Sequence, residues 1–476
     1  MNEKNLMKTK FYKIFYPENG REIMGMVSHI FFQLFFAAII AQVNVLMFSW
    51  YDGDGYFAAM NKVTILFTTL QFIPSLIASG TLVVGGNLIG QGRQKEIPTV
   101  IKTGILVNIG ICLVIFAIVE AIAPMLLEFV GATEDPIIGA TFHQFPSELD
   151  FVSKYFRIQF VQLMIMAVAQ VYIASLQIIK KQKHVAIGAI ISNIIDVTFI
   201  ALILYVFNAN PLLTSLAIPL AALFQMFYMM FMYYKYYYDK ENKASINLKF
   251  AKETIMIGLP ITLEIALARG CMFAMNGAIA GLPWETEEIK NSFINLHRTI
   301  DSINQYSNAF LQAIGTVTSI MVAKKIGEQN KEEAFRTGLN AWRISIYGQL
   351  VLSILTFALI YPLLLGFNIP TEMIVNYGIV MFGVLFIKYL FDTVNMTLLR
   401  ALWSVGDLWT PLIVSIFTMV IGMVALPWLI TKTFTGEPQM GIILIYILSG
   451  VDPISRSIIY SIRWFKKKWF KHVKLV

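Results

Sequence analysis

Residues 80–97 read GTLVVGGNLIGQGRQKEI, an apolar run that ends in a short polar and basic turn. The same arrangement returns as GT at 315–316 followed by GEQNKEEA at 327–334. A second pair of similar stretches is SLQIIKKQKHVAIGAI at 175–190 and LLRALWSVGDLWTPLI at 398–413. Internal similarity of this kind predicts a chain built from two copies of one structural unit.

The composition excludes an ordinary cytosolic enzyme. Of the 476 residues, 57% are apolar and 14% are charged, whereas soluble domains contain about 25% charged residues. The mean hydropathy is +0.66, and a soluble fold of this size could not bury so much apolar surface. Apolar runs of the length needed to cross a bilayer predict an all-α integral membrane protein with twelve spanning helices, at about 23–50, 57–90, 98–130, 151–180, 184–207, 210–236, 251–282, 291–326, 335–366, 371–402, 407–431 and 438–463.

Basic residues indicate which connections face the cytoplasm. Lysine and arginine accumulate in every second connection, whereas the other connections contain only Lys290 and Lys432. Because short cytoplasmic loops are enriched in basic residues, we expect both termini to be cytoplasmic and the protein to lie in the plasma membrane. The formal net charge of +8 then reflects topology and not a nucleic-acid surface. The basic end RWFKKKWFKHVK is predicted to lie on anionic lipid.

The repeats and the helix count together predict the domain organisation. Six is an even number, so two six-helix bundles can be related by a pseudo-two-fold axis along the membrane normal. We predict a cytoplasmic segment at 1–22, an N-lobe of helices 1–6 at 23–236, a cytoplasmic linker at 237–250, a C-lobe of helices 7–12 at 251–463 and a basic cytoplasmic tail at 464–476. The protein is expected to function as a monomer.

Five stretches resemble the multidrug and toxin extrusion (MATE) transporters, and the resemblance covers nearly the whole chain. They are QVNVLMFSWYDGDGYFAAMNKV (42–63), SGTLVVGGNLIGQGRQKE (79–96), IGLPITLE (257–264), IGEQNKEEAF (326–335) and LLRALWSVGDLWTPLI (398–413). The resemblance implies alternating access of two bundles and export of amphipathic, often cationic, organic compounds in exchange for Na⁺ or H⁺. GGNLIGQGR lacks the Lys-Ser/Thr of a Walker loop, so we expect no ATPase and no cofactor besides the coupling ion. Cys112, Cys271 and the histidines show no metal-ligand spacing.

Glu264 is the first candidate for cation or proton coupling. It lies inside an apolar run, where a charge is costly and requires a partner or a function. Pro260 precedes it and removes a backbone hydrogen bond, which should kink the seventh helix and open polar backbone beside the carboxylate. The resemblance adds that the NorM-like branch of the family uses a glutamate on this helix for coupling. The alternative is a structural hydrogen bond to a neighbouring helix.

Lys388 and Asp392 stand four residues apart on the tenth helix and therefore share a face. A structural ion pair is the simplest interpretation. The resemblance implies that an acidic residue on this helix contributes to the C-lobe site, although the spacing to the following arginine differs here. Asp392 is therefore a second coupling candidate, held by Lys388 until a cation replaces that partner.

The N-lobe offers a second candidate cation site. The family often has V-D-T-I-F on the first helix, and this chain has V-N-V-L-M, so Asn44 replaces the expected acid. On the fifth helix, SNIID provides Ser192, Asn193 and Asp196, with the amide shifted by one residue from the family pattern. An amide carries no proton but can ligate a cation, so Asn44, Asn193 and Asp196 form a candidate oxygen site. The alternative is a polar clamp between helices.

Other intramembrane polar residues are candidates for the substrate cavity. Arg269 and Arg298 stand near His297 and Asp301 on the seventh and eighth helices, and pairing with Glu264, Asp301 or Asp392 would satisfy the two arginines. If they instead face the cavity unpaired, an anionic substrate is favoured. Gln71 and Gln162 are the neutral polar candidates for a promiscuous pocket.

Two other functions compete with drug export. Basic intramembrane residues favour a flippase for lipid-linked oligosaccharides or another anionic lipid-like substrate, but the chain shows no additional C-terminal helix pair. A non-transporting membrane scaffold is disfavoured because it has no need for buried carboxylates. No Ser/His or metal constellation at membrane depth indicates an enzyme.

Overall fold

The computed structural model describes residues 17–52, 54–137, 145–237, 244–367 and 369–473. The predicted N-terminal segment up to residue 16, His143, Lys243 and the last three residues lie outside this part of the chain. The described residues form twelve helices long and apolar enough to cross a membrane, which confirms the predicted all-α, twelve-span class.

Six of the twelve spans are single helices. They are α1 (Gly20–Asp52), α3 (Ile97–Phe129), α6 (Ala217–Tyr237), α7 (Leu248–Ala280), α8 (Glu287–Gly327) and α9 (Lys331–Gly366).

The other six spans are interrupted. Two have a short break, α2 (Asp54–Leu70 and Ser75–Gly90) and α4 (Glu148–Phe160 and Gln162–Ile178). Three contain a π-helical turn, α5 (Gln182–Ala201, then Leu202–Val206), α10 (Thr371–Met373, Ile374–Gly378 and Ile379–Ser404) and α11 (Trp409–Met419, Val420–Ala425 and Leu426–Thr433). The last, α12, consists of Pro438–Ser449 and Val451–Phe465. Pro260 lies inside α7, as the sequence predicted.

The repeated stretches fold into the same kind of turn. Each ends its helix with a Schellman motif, in which a residue with positive φ lets two backbone amides reach carbonyls of the last helical turn. Glycine is favoured there, yet only one member of each pair is a glycine. In these four turns the residues with positive φ are Gly92 after α2, Lys180 after α4, Gln329 after α8 and Gly406 after α10.

The chain divides into two compact units, each with its own apolar core. The N-terminal unit comprises Phe32–Thr262, and the C-terminal unit comprises Leu263–Val476 together with the residues up to Phe31. Tyr56 and Phe151 are fully buried in the first core, and Leu296 and Ile300 in the second. The predicted lobes at 23–236 and 251–463 stay a prediction.

Glycine permits a close approach of α2 and α7 within the N-terminal unit. A Cβ atom added to Gly80 would lie 2.1 Å from the backbone oxygen of Thr254, and one added to Gly258 would lie 2.3 Å from that of Leu76. Such distances leave no room for a side chain. The glycine of the GT pair at 80–81 is therefore required by helix packing.

The basic tail packs on the protein through its aromatic residues. After α12 a short 3-10 turn, Lys468–Lys471, carries Trp469 into a fully buried position where it stacks on Trp464 with ring centroids 4.6 Å apart. Lys467 Nζ forms an ion pair with Glu332 at 2.6 Å. Because two stacked indoles bury more apolar area than a ring at the lipid interface, the expected lipid anchor does not include Trp469.

Candidate functional site

The N-terminal unit contains a cavity of about 210 Å³ that brings five predicted residues together. Helix α1 contributes the amide of Asn44, and α5 contributes Asn193 and Asp196. The cavity is also lined by Gln71 and Gln162, from the break in α2 and the second part of α4. Five residues that the sequence marked as candidates thus line one cavity, and their roles in it stay a prediction.

A short hydrogen bond joins the two central residues of the cavity. Asn44 Nδ2 donates to Asp196 Oδ2 at 2.6 Å, while the carboxylate is only 7% exposed. The other oxygens, Asn44 Oδ1 and Asp196 Oδ1, are buried and have no hydrogen-bond partner among the described residues. Buried polar atoms without partners are costly, and oxygen atoms of this type are the ligands that Na⁺ and other hard cations prefer.

The other residues of the SNIID stretch differ in their roles. Ser192 Oγ donates to the backbone oxygen of Ala221 at 2.7 Å and so fastens α5 to α6. Asn193 Nδ2 is buried without a partner. Gln159 also lines the cavity and keeps an unpaired oxygen. Amide groups therefore dominate the polar wall, with one carboxylate among them.

Glu264 is buried in the C-terminal unit, where three helices contribute its surroundings. The side chain is 3% exposed, and Oε1 accepts a hydrogen bond from Ser415 Oγ of α11 at 2.7 Å. Arg456 of α12 approaches the same oxygen with Nη1 at 3.5 Å. Oε2 is buried and has no partner.

Arg456 is shared between Glu264 and a second buried acid. Its guanidinium donates to both carboxylate oxygens of Asp452, at 2.8 and 2.5 Å, one helical turn earlier on α12. With its amide oxygen turned towards the guanidinium, Asn395 of α10 accepts from Nη1 at 3.0 Å. This bidentate geometry fixes the charge of Arg456 beside the Glu264 carboxylate.

The predicted ion pair between Lys388 and Asp392 is wrong. Lys388 Nζ instead donates to Ser449 Oγ of α12 at 2.7 Å, and the two side chains are not among the ion pairs of the described residues. Asp392 interacts electrostatically with Arg456, Asp452 and Lys388. A shared helix face brings residues near each other, but the neighbouring helix α12 supplies the better-placed acceptor.

Of the two alternatives for Arg269 and Arg298, pairing with Glu264, Asp301 or Asp392 is not found among the described residues. Glu264 pairs with Arg456 and not with Arg269, and both Arg269 and Arg298 are exposed. Neither forms an ion pair or hydrogen bond with another residue in the described ranges. Asp301 instead lies 3.5 Å from His297 Nε2.

Sequence reasoning missed the polar residues of α12. Asp452 and Arg456 are an acid and a base four residues apart within a predicted spanning segment, and that spacing was the available signal. Arg400 was assigned only to the cytoplasmic side. In the structure Arg400 Nη2 donates to Gln312 Oε1 at 3.0 Å, and the positive charge of the guanidinium lies within electrostatic range of the Glu264 carboxylate.

These features define a multi-pass helical membrane protein with a buried carboxylate in each unit, which is the class of ion-coupled transporters. The MatE family model matches residues 30–202 and 298–428, well over half of the chain. The chain therefore belongs to the MATE family, whose members are ion-coupled transporters of small organic substrates and not enzymes.

Solved structures of MATE transporters have the same fold. A MOP-superfamily transporter from Pyrococcus furiosus is 13% identical, with a TM-score of 0.80 over 96% of this chain and 97% of that one. An outward-facing multidrug resistance MATE transporter is 14% identical, with a TM-score of 0.80 over 96% of this chain and 98% of that one.

A eukaryotic MATE transporter is also similar to this chain. It is 14% identical, with a TM-score of 0.80 over 95% of this chain and 96% of that one. No curated protein matches the chain in sequence. The chain has the fold of the multidrug transporters, and cation-coupled drug efflux is typical of the family.

Proposed function

We propose that Asp196 and Glu264 are the coupling carboxylates of a Na⁺- or H⁺-driven exporter of the NorM-like branch. One observation carries this proposal. Each of these acids is buried, and each keeps one carboxylate oxygen, Asp196 Oδ1 and Glu264 Oε2, that accepts from no donor in the part of the chain that the structure describes. A buried carboxylate oxygen is stabilised by a cation or by a proton, and either can be exchanged during a transport cycle.

The two carboxylates differ in their electrostatic surroundings. Glu264 faces the guanidinium of Arg456 at 3.5 Å, so part of its charge is already balanced. Asp196 faces the neutral amide of Asn44. Asp196 therefore has the greater need for an external cation, and we assign Na⁺ or H⁺ uptake first to the site formed by Asp196, Asn44 and Asn193. Asp392 interacts electrostatically with Arg456, the cation that lies beside Glu264. Through this shared cation, Asp392 influences the charge balance at Glu264.

The lining of the cavity favours an amphipathic substrate. Amide side chains such as Gln71 and Gln162 can both donate and accept hydrogen bonds, while Phe48, Met60 and Phe67 supply apolar wall. One carboxylate favours a single positive charge on the ligand. We therefore propose amphipathic organic cations as substrates, carried by a monomer in the plasma membrane with both termini in the cytoplasm.

Transport in proteoliposomes tests this assignment. Efflux of ethidium is measured under an imposed Na⁺ gradient at equal pH, and separately under a pH gradient at equal Na⁺. Asp196→Asn and Glu264→Gln should each remove the gradient-dependent part of the efflux. Glu148→Gln is the matched control, because Glu148 is a buried acid whose two carboxylate oxygens both accept from Lys62 Nζ. Undiminished gradient-driven efflux by both test variants would contradict the proposal.

An anionic substrate is the second candidate, and the exposed arginines favour it. Arg269 and Arg298 have no acidic partner within 4 Å in the described ranges, and guanidinium groups bind phosphate well. The Pyrococcus furiosus relative is described as having a binding pocket of reverse polarity and, on that ground, a different function. A fluorescent phospholipid that changes leaflet only when Arg269 and Arg298 are both present would favour this function over cation export.

A further inference from the structure

A polar stripe, meaning a row of polar side chains at helical spacing, runs along one face of α12. Its members follow each other at intervals of three or four residues, so they stand one above the other on the helix. All are buried, although they lie in a span that is otherwise apolar. The stripe consists of Tyr446, Ser449, Asp452, Arg456 and Tyr460, and it extends over about 21 Å at the helical rise per residue.

Four of the five members of the stripe contact a polar side chain of another helix in the C-terminal unit, whereas Asp452 binds Arg456 within α12. Tyr446 contacts His297 of α8, Ser449 contacts Lys388 of α10, and Arg456 contacts Glu264 of α7. Tyr460 OH lies 2.9 Å from Ser415 Oγ, which in turn donates to Glu264. The stripe therefore has the surroundings of the Glu264 carboxylate near one end and, at the other, a histidine that the coupling proposal does not use.

His297 is bonded through both ring nitrogens. Nδ1 lies 2.5 Å from Tyr446 OH, and Nε2 lies 3.0 Å from Asn276 Oδ1 and 3.5 Å from Asp301 Oδ2. Two oxygen acceptors face Nε2, so this nitrogen carries the hydrogen of the neutral ring. Nδ1 then accepts from the tyrosine hydroxyl.

We propose that His297 is a proton-accepting group of the C-terminal unit and that its charge reaches Glu264 along the polar stripe. The proton adds to Nδ1, and the ring becomes an imidazolium that donates through both nitrogens. Tyr446 oxygen becomes the acceptor for Nδ1–H, and the hydroxyl hydrogen turns away from the ring. Only hydrogen atoms move, so protonation requires no rearrangement of the core. This inference rests on the proposed coupling function for its effect on transport.

Burial of the ring disfavours the imidazolium, and the charged groups around it act in opposite directions. Asp301 attracts the imidazolium, whereas Arg298 and Lys388 repel it. Asp301 is also the more accessible partner, because its side chain is 24% exposed whereas that of His297 is 3% exposed. The carboxylate is therefore the more exposed of the two groups. Tyr389 and Tyr446 also interact with Asp301.

Lys388 is the group through which the charge of His297 acts on the acids. It lies within electrostatic range of His297 and of Asp392, and its hydrogen-bond partner Ser449 is neutral. A positive charge on His297 repels Lys388 and favours its movement towards Asp392. Protonation thereby changes the charge balance of the cluster that contains Arg456 and Glu264.

The protonation itself is tested by nuclear magnetic resonance on the full chain in lipid nanodiscs with ¹⁵N-labelled histidine. The chain has five histidines, and the His297 signals are identified by their loss in His297→Gln. Because burial disfavours the imidazolium, we expect the His297 ring to change from the Nε2–H tautomer to the doubly protonated form as the pH is lowered from about 7 to about 4.5. A ring that stays neutral over this whole range would overturn the proposal.

His184 is the matched control, because its Nε2 lies 2.8 Å from Tyr236 OH but Lys181, Lys183 and Lys235 surround it. Tyr446→Phe keeps the His297 ring and removes the acceptor of Nδ1–H, so the transition of His297 should move to lower pH. This variant keeps the proposal falsifiable if His297→Gln fails to fold.

The effect on transport is measured by ethidium efflux as a function of pH. The wild-type rate should change about threefold as the pH is lowered from about 7 to about 5, where the imidazole titrates, and His297→Gln should flatten this profile while His184→Gln keeps it. A His297→Gln profile that superimposes on the wild type would contradict the role in transport. Absence of any gradient-driven efflux by the wild type would count against the coupling function, whereas the resonance measurement would still decide whether His297 takes up the proton.

Discussion

Asn44 and Asp196 stand 152 positions apart in the chain, yet Asn44 Nδ2 donates to Asp196 Oδ2 at 2.6 Å in the cavity of the N-terminal unit. The first of these residues replaces an acid that related transporters often carry, and the second keeps its acid. The Asn44 side chain is neutral, so its hydrogen bond orients the Asp196 carboxylate without balancing the negative charge. The other oxygen, Asp196 Oδ1, remains available to a cation or proton.

Replacing Asn44 by leucine should weaken both stability and coupling. The substitution leaves Asp196 Oδ2 without its donor, which should lower the free energy of unfolding by about 1–3 kcal/mol and reduce gradient-driven efflux. Thermal unfolding in detergent and the proteoliposome assay measure the two effects. Thr68→Val is the control, because Thr68 lines the same cavity but its hydroxyl bonds only to carbonyls of its own helix. Equal behaviour of the two variants would argue against a special role of Asn44.

Removing the buried guanidinium of Arg456 should destabilise the C-terminal unit strongly. Arg456→Met leaves the carboxylates of Asp452 and Glu264 buried without their cation, a change that costs about 3–5 kcal/mol. Asp452→Asn combined with Arg456→Gln should recover part of this loss. Arg336→Met is the control, because Arg336 is exposed and its pair with Glu333 is weak. A loss of unfolding free energy no larger than that of the control would show that the guanidinium is not required.

Adding one methyl group at the contact of α2 and α7 should disturb the N-terminal unit. In Gly80→Ala or Gly258→Ala the new Cβ would meet a backbone oxygen at 2.1 or 2.3 Å, so the helices must separate, at a cost of about 1–3 kcal/mol. Gly110→Ala meets nothing within 4 Å, and we expect it to keep or slightly raise stability. Thermal unfolding of the three variants compares these costs directly, and equal melting temperatures would contradict the close approach.

The predicted topology is open to a labelling experiment. Cys112 and Cys271 are both buried, so a single cysteine introduced at position 287 or 243 can be read against a low background. A membrane-impermeant thiol reagent added to intact cells should label the first and spare the second until the membrane is opened. The reverse pattern would place the termini outside.

Sequence patterns predicted the features that depend on a single helix or turn. The length of each apolar run predicted the twelve spans. The repeated stretches predicted two copies of one structural unit, and the structure shows that they end their helices in turns of one backbone conformation, at Gly92, Lys180, Gln329 and Gly406. The scarcity of charge inside apolar runs also singled out Glu264 and Asp196. Helix length, helix ends and burial of a charge are local properties, so the chain order of the residues was sufficient to find them.

Only the tertiary structure decided which polar groups are partners. Lys388 and Asp392 share a helix face, but Ser449 of α12 takes the lysine, and Arg456 of the same helix takes Glu264. Partners on different helices depend on the rotation and register of each helix, which are set by apolar packing along its whole length. The sequence thus determined that this is a twelve-helix membrane protein with buried acids, and the packing of the helices decided what each acid faces.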